Sequence, residues 1–138
     1  MRFWSAFVPL IALLPIVTAD IHYGIIIKGG KQQGGAIVPS LNDTCEAAVR
    51  IGSLQNIPLF EPGLNTFTAT ICGKTVTVND SWLSWTDTDG GGGPCWRTLR
   101  NDSTDPPLPP CNPYGDGATY QWDDGGFCET NFNCYIYV

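Results

Sequence analysis

Apolar positions along the chain change their spacing several times, and each change marks an element. Residues 7–17 form one apolar stretch broken by Pro9 and Pro15. Tyr23-Gly24-Ile25-Ile26-Ile27 follows as a short, nearly continuous run. Side chains branched at Cβ favour extended backbone, so Ile21–Lys28 predicts a strand buried on both faces. Gly29, Gly30, Gly34 and Gly35 then surround Lys31, Gln32 and Gln33, which predicts a flexible loop. Over residues 40–51 the period becomes helical. Leu41, Cys45, Ala48 and Val49 share one face. Asp43 stands three residues before Glu46, an approximate capping box, and Gly52 is placed to end the helix.

Alternation returns at residues 66–78, on both sides of Gly73-Lys74. Glycine at the first loop position suits a type II′ hairpin. A two-residue loop there sets Ile71 opposite Val76, Ala69 opposite Val78 and Thr70 opposite Thr77. Apolar then meets apolar on one face and threonine meets threonine on the other. Between Trp82 and Phe127 no period survives among glycines, prolines and acids, which predicts long loops closed by disulfides. Residues 134–138 alternate again and predict a last strand. The order strand, helix, hairpin, loops, strand describes a small α+β domain with a mainly antiparallel sheet and one helix. The alternative is an all-β disulfide-rich fold in which residues 40–51 form only a short helical turn.

Composition narrows the setting. Arg2, the apolar stretch and Val17-Thr18-Ala19 have the order of a removable export signal over residues 1–19. That stretch is shorter than the ~20 residues a spanning helix needs. The expected product is one secreted, extracellular domain, residues 20–138, without a membrane anchor. Cys45, Cys72, Cys95, Cys111, Cys128 and Cys134 all fall within it. An even count behind an export signal predicts disulfides, in any of about 15 pairings. A cysteine metal site would want Cys-x-x-Cys spacings and more than the single His22, so no metal or other cofactor is expected. Asn42, Asn79 and Asn101 each begin an Asn-x-Ser/Thr triplet, a possible glycan site in a eukaryotic secretory protein.

The cut after Ala19 leaves 6 basic and 13 acidic side chains, a net charge of −7. Such a domain repels phosphate backbones and anionic membranes, so neither nucleic acid nor membrane is an expected partner. A monomer is expected. Nucleophile chemistry would need a histidine beside a serine or free thiol, and His22 lies near the expected N-terminus. Asp87-Thr88-Asp89-Gly90 opens like a calcium loop but lacks the later ligands, and reads as a turn. No catalytic residue is assigned. A small hydrolase using loop carboxylates remains as one alternative function. The aromatics carry more. Trp82, Trp85, Trp96, Tyr120 and Trp122 lie among acids and amides in the loop half. A flat ring can cover the apolar face of a sugar while such neighbours bind its hydroxyls. The competing reading places the tryptophans in the core, and it carries the greater weight.

With signal, cysteines, glycan triplets and acidic glycine-rich loops in place, the chain resembles the small secreted cysteine-rich proteins of filamentous fungi. The resemblance is one of architecture and carries no functional residue over. It implies an effector-like, non-enzymatic protein that binds a host or competitor protein. A carbohydrate-binding module, directed at cell-wall polysaccharide, is the alternative. Residues 42–48 also look like the start of a fungal LysM module, but the Trp-Asn-Pro-type segment expected soon after is missing. They are read as a helix cap.

Overall fold

The computed structural model describes residues 20–58, 66–98, 100–101, 103–132 and 134. The expected export signal, residues 1–19, and residues 135–138 of the expected last strand lie outside them. β1 (Ile21–Lys28) turns at Gly29-Gly30 into β2 (Lys31–Pro39). A 3₁₀ turn, Ser40–Asn42, leads to α1 (Cys45–Gln55). β3 (Phe67–Ile71), β4 (Lys74–Val78), β5 (Ser84–Asp87) and β6 (Gly92–Arg97) follow as a meander. β7 (Pro110–Cys111) is short, and β8 (Tyr120–Cys128) returns between β1 and β6. Every pairing is antiparallel, in the order β2-β1-β8-β6-β5-β4-β3 with β7 on β8.

The sheet curls until its ends meet. β2 contacts β3, and Gly35 bridges to Ile57. The result is a nearly closed, barrel-like sheet. Its interior holds Tyr23, Phe67, Trp82 and Trp85 with Ile21, Ile37, Val76 and Val78. On the outside, α1 packs Ala48, Val49 and Ile51 against Ile26, Ala36, Val38 and Trp122. Eight strands and one α-helix among the described residues make this an all-β fold, which corrects the α+β expectation. The helix is an outer layer on one face of a sheet that already encloses its own core.

Five strands, β2, β5, β6, β7 and β8, escaped the sequence reading. β2 contains Gly34 and Gly35, which read as loop residues, and its apolar half, Ala36 to Val38, is too short to show a period. β5 and β6 are short and joined by a glycine turn, in which Asp87 Oδ1 accepts the Asp89 and Gly91 N–H groups. β8 has a bulge: Tyr23 pairs with Gly126 and Gly24 with Asp124, which leaves Gly125 over. The bulge breaks the alternation a sequence reader counts.

The helix begins and ends later than expected. Thr44 is the N-cap, its Oγ1 accepting the Ala47 N–H at 3.3 Å. Gly52 lies inside the helix, and Asn56 ends it with φ 54°. A Cβ on Gly52 would lie 2.4 Å from Ile26 Cδ1, so glycine here lets α1 approach the sheet. Leu41 is 74% exposed and lies outside the apolar face. The predicted hairpin exists with a different turn. Cys72 and Gly73 form it, with φ 53° and 73°. The register is therefore two residues from the expected one: Ala69 faces Val76 and Thr68 faces Thr77. A shift of two preserves the faces, which is why the pattern could not detect it.

The disulfides are Cys45–Cys111, Cys72–Cys134 and Cys95–Cys128. The first fastens α1 to β7. The second fastens the β3–β4 turn to the C-terminal segment. The third joins directly opposed residues of β6 and β8. No helix among the described residues is long and apolar enough to cross a membrane.

Candidate functional site

The outer face of the sheet is covered by α1 over part of its area and open beyond the helix N-terminus. Side chains alternate along β1, so Ile21 and Tyr23 point inward while His22 points outward. On β8 the bulge lets Asp124 and Phe127 both face out toward His22, Phe127 directly across from it and Asp124 diagonally. Regular pleating over Asp124, Gly125, Gly126 and Phe127 would turn Phe127 inward, and the bulge at Gly125 absorbs the odd step. Trp96 of β6 is opposite Phe127. His22, Phe127 and Trp96 thus form a row across three strands. The His22 and Phe127 rings are 5.8 Å apart, and Phe127 and Trp96 stack at 5.2 Å with 23° between planes. Trp96 is 42% exposed.

Asp43 enters from the turn before α1. Its Oδ1 accepts the Trp122 Nε1–H at 2.7 Å, and its Oδ2 lies 3.3 Å from His22 Nδ1. Asp124 Oδ2 lies 2.8 Å from the same nitrogen, and Asp124 Oδ1 accepts the Gly126 N–H at 3.1 Å. Burial would lower the His22 pKa, but the Asp124 bond and the charges of Asp124, Asp43 and Asp20 outweigh it and hold it above its ordinary value. Burial pushes the Asp43 carboxyl up to about 6, assisted by its bond to Asp124 and opposed by Trp122. For Asp124, burial is outweighed by the bonds from His22 and Asp43, and its pKa is lowered. In mild acid Asp43 is thus a proton donor to an ionised Asp124, which also accepts from an imidazolium. The arrangement can accept hydroxyl hydrogen bonds, hold a cation or pass a proton.

An open groove of about 300 Å³ shares Asp124 and Trp122 with this cluster. Thr98, Arg100, Asp105 and the turn at Pro106 to Pro109 form its other walls.

The expected ligand-binding aromatics divide by burial. Trp82, Trp85 and Trp122 are buried at 4%, 1% and 7% exposure and are core residues. Tyr120 is half-buried on the far side of α1. There it packs against Tyr114 under Lys28, beside a second cavity of about 240 Å³. Only Trp96 among the expected tryptophans presents a ring to solvent. Of the glycan candidates, Asn101 is exposed and accepts from Ser103. Asn79 is half-buried and bonded to Ser81 and Ser84, and Asn42 is half-buried.

His22, Asp43 and Phe127 were not among the expected ligand-binding residues. His22 and Asp124 are 102 positions apart, so no spacing rule joins them. The available signal was an outward histidine in an otherwise apolar strand. Comparisons with protein-family models, curated proteins and solved structures gave no match. Fold and site together define a disulfide-stapled all-β domain with one aromatic and acidic open face.

Proposed function

We propose that this chain is an extracellular carbohydrate-binding module whose contact surface is the open outer face around Trp96. The observation that carries this reading is the exposed Trp96 ring, held flat by stacking on Phe127, which in turn meets His22 of the acidic cluster. A sugar ring offers C–H groups on one face and hydroxyls around its edge. A supported indole meets the first, and the carboxylates and guanidinium of the groove meet the second. Support by Phe127 means that little side-chain freedom is lost on binding. Three disulfides fit an oxidising, secretory origin.

This reading replaces protein capture as the leading one. Protein interfaces centre on a buried cluster of apolar anchors. The exposed leucines Leu41, Leu54 and Leu83 sit on three different segments, whereas the aromatic row is continuous and meets a carboxylate at its His22 end.

Co-sedimentation of the oxidised protein with insoluble chitin, cellulose and β-glucan tests the proposal. One polymer should retain the protein, and Trp96→Ala should weaken retention at least about tenfold with the fold unchanged. Equal retention of Trp96→Ala, or no retention by any polymer, would remove this function. Trp122→Ala is unsuitable as a probe, because Trp122 is part of the packing beneath α1.

A further inference from the structure

Three ligand atoms from distant parts of the chain converge at the foot of α1. His22 Nδ1 is 2.8 Å from Asp124 Oδ2 and 3.3 Å from Asp43 Oδ2. The ligating atoms of the three residues lie within 4.8 Å of one another. We infer that His22, Asp43 and Asp124 form a binding site for one divalent transition-metal ion of the Zn²⁺ class. The inference does not depend on the carbohydrate reading.

Spacing is the first argument. An ion about 2.0–2.2 Å from each ligand separates neighbouring ligand atoms by about 2.9–3.5 Å. The two separations from Nδ1 are close to that range, so small side-chain rotations suffice to admit an ion. Donor chemistry is the second. One imidazole nitrogen with two carboxylates suits zinc or manganese, whereas calcium and magnesium prefer oxygen donors alone.

The third argument is the support behind each ligand. Trp122 Nε1–H holds Asp43 Oδ1, and the Gly126 N–H holds Asp124 Oδ1. Each carboxylate thus has one oxygen anchored from outside the cluster and the other turned to the imidazole. Outer bonds of this kind fix ligand orientation at metal sites. Charge agrees with this. Once the imidazole gives up its proton to ligate, the two carboxylates carry two negative charges, which one divalent ion would balance. Access is also available. The side chains keep 21% and 26% of their surface exposed, so an ion can enter without unfolding and retain solvent ligands.

His22 is the only histidine in the chain, which makes its ring protons a unique nuclear magnetic resonance probe. Zn²⁺ would be titrated into tag-free, oxidised, chelator-stripped protein near neutral pH. The expected result is one equivalent bound per chain and a saturable shift of the His22 ring resonances. Co²⁺ should broaden the same signals in the unaltered protein, a readout that needs no variant. His22→Gln and Asp124→Asn should each weaken binding at least about tenfold. Trp122→Phe keeps the ring packing but removes the donor to Asp43, and should weaken binding by a smaller factor. Unmoved His22 resonances at one equivalent of Zn²⁺, or undiminished affinity in both ligand variants, would overturn the site.

Discussion

At the scale of single residues, the open face depends on a few polar groups held in fixed relation. His22, Asp43 and Asp124 have pKa values displaced in different directions, and each displacement has a consequence for stability. Asp43 is raised from 3.8 to about 6, so its contribution is complete below its unfolded value and lost as pH rises through about 6. His22 is raised from 6.5, so its contribution is present in acid and lost as pH rises through its folded value. Asp124 is lowered from 3.8, so its contribution is present above that value and lost on strong acidification. The three overlap between about pH 4 and pH 6. Metal-free protein should therefore melt at a higher temperature near pH 5 than near pH 8. Thermal melts of wild type and of a His22→Gln, Asp43→Asn double variant would check this. An equal pH response in the two proteins would assign the effect to overall acidic charge instead.

Among elements, the decisive contact is α1 against the outer sheet. Gly52 sits where helix and sheet come closest, with Ile26 Cδ1 at 2.4 Å and Ala36 Cβ at 3.1 Å from a hypothetical Cβ. In a solvent-exposed helix, Gly→Ala would stabilise by up to about 1 kcal/mol. Here Ile26 is already packed, and the overlap should reverse the sign. Gly52→Ala is expected to destabilise the domain by about 1–3 kcal/mol in a denaturant titration. A stabilised variant would mean that α1 rides more loosely on the sheet than its packing implies. The position of α1 matters to the site as well, because the turn before it carries Asp43 and its buried face covers Trp122.

Element legibility followed local pattern. β1 was fully legible, because Ile21–Lys28 is one β-branched run. The faces of β3 and β4 were legible from alternation, but their register was not. The turn could begin at Cys72 as readily as at Gly73 without moving a side chain to the other face. β8 was hidden by acids, glycines and its bulge. The candidate site was legible only as a suspicion that some tryptophans meet ligand, and burial left Trp96 from that set.

For the whole molecule, closure of the sheet and three cross-links act together. Cys45–Cys111 and Cys72–Cys134 span 66 and 62 positions, and Cys95–Cys128 spans 33. Loops of that size remove much of the freedom of the unfolded chain, on the order of 3–4 kcal/mol for each bridge. The oxidised domain should resist a protease that digests it rapidly after reduction. Comparable digestion of the two forms would show that the sheet holds without its bridges.

Sequence by itself determined the broad character of this protein: an acidic, six-cysteine chain, a β-branched first strand, one amphipathic helix and a threonine-faced hairpin. These follow from composition and short-range periodicity, which depend only on neighbours along the chain. Tertiary structure decided the all-β class, the disulfide pairing, which tryptophan faces solvent and the meeting of His22 with Asp43 and Asp124. Those outcomes depend on strand order and on a single bulged residue in β8. Both are set by packing between segments up to a hundred positions apart, and a local pattern carries no record of them.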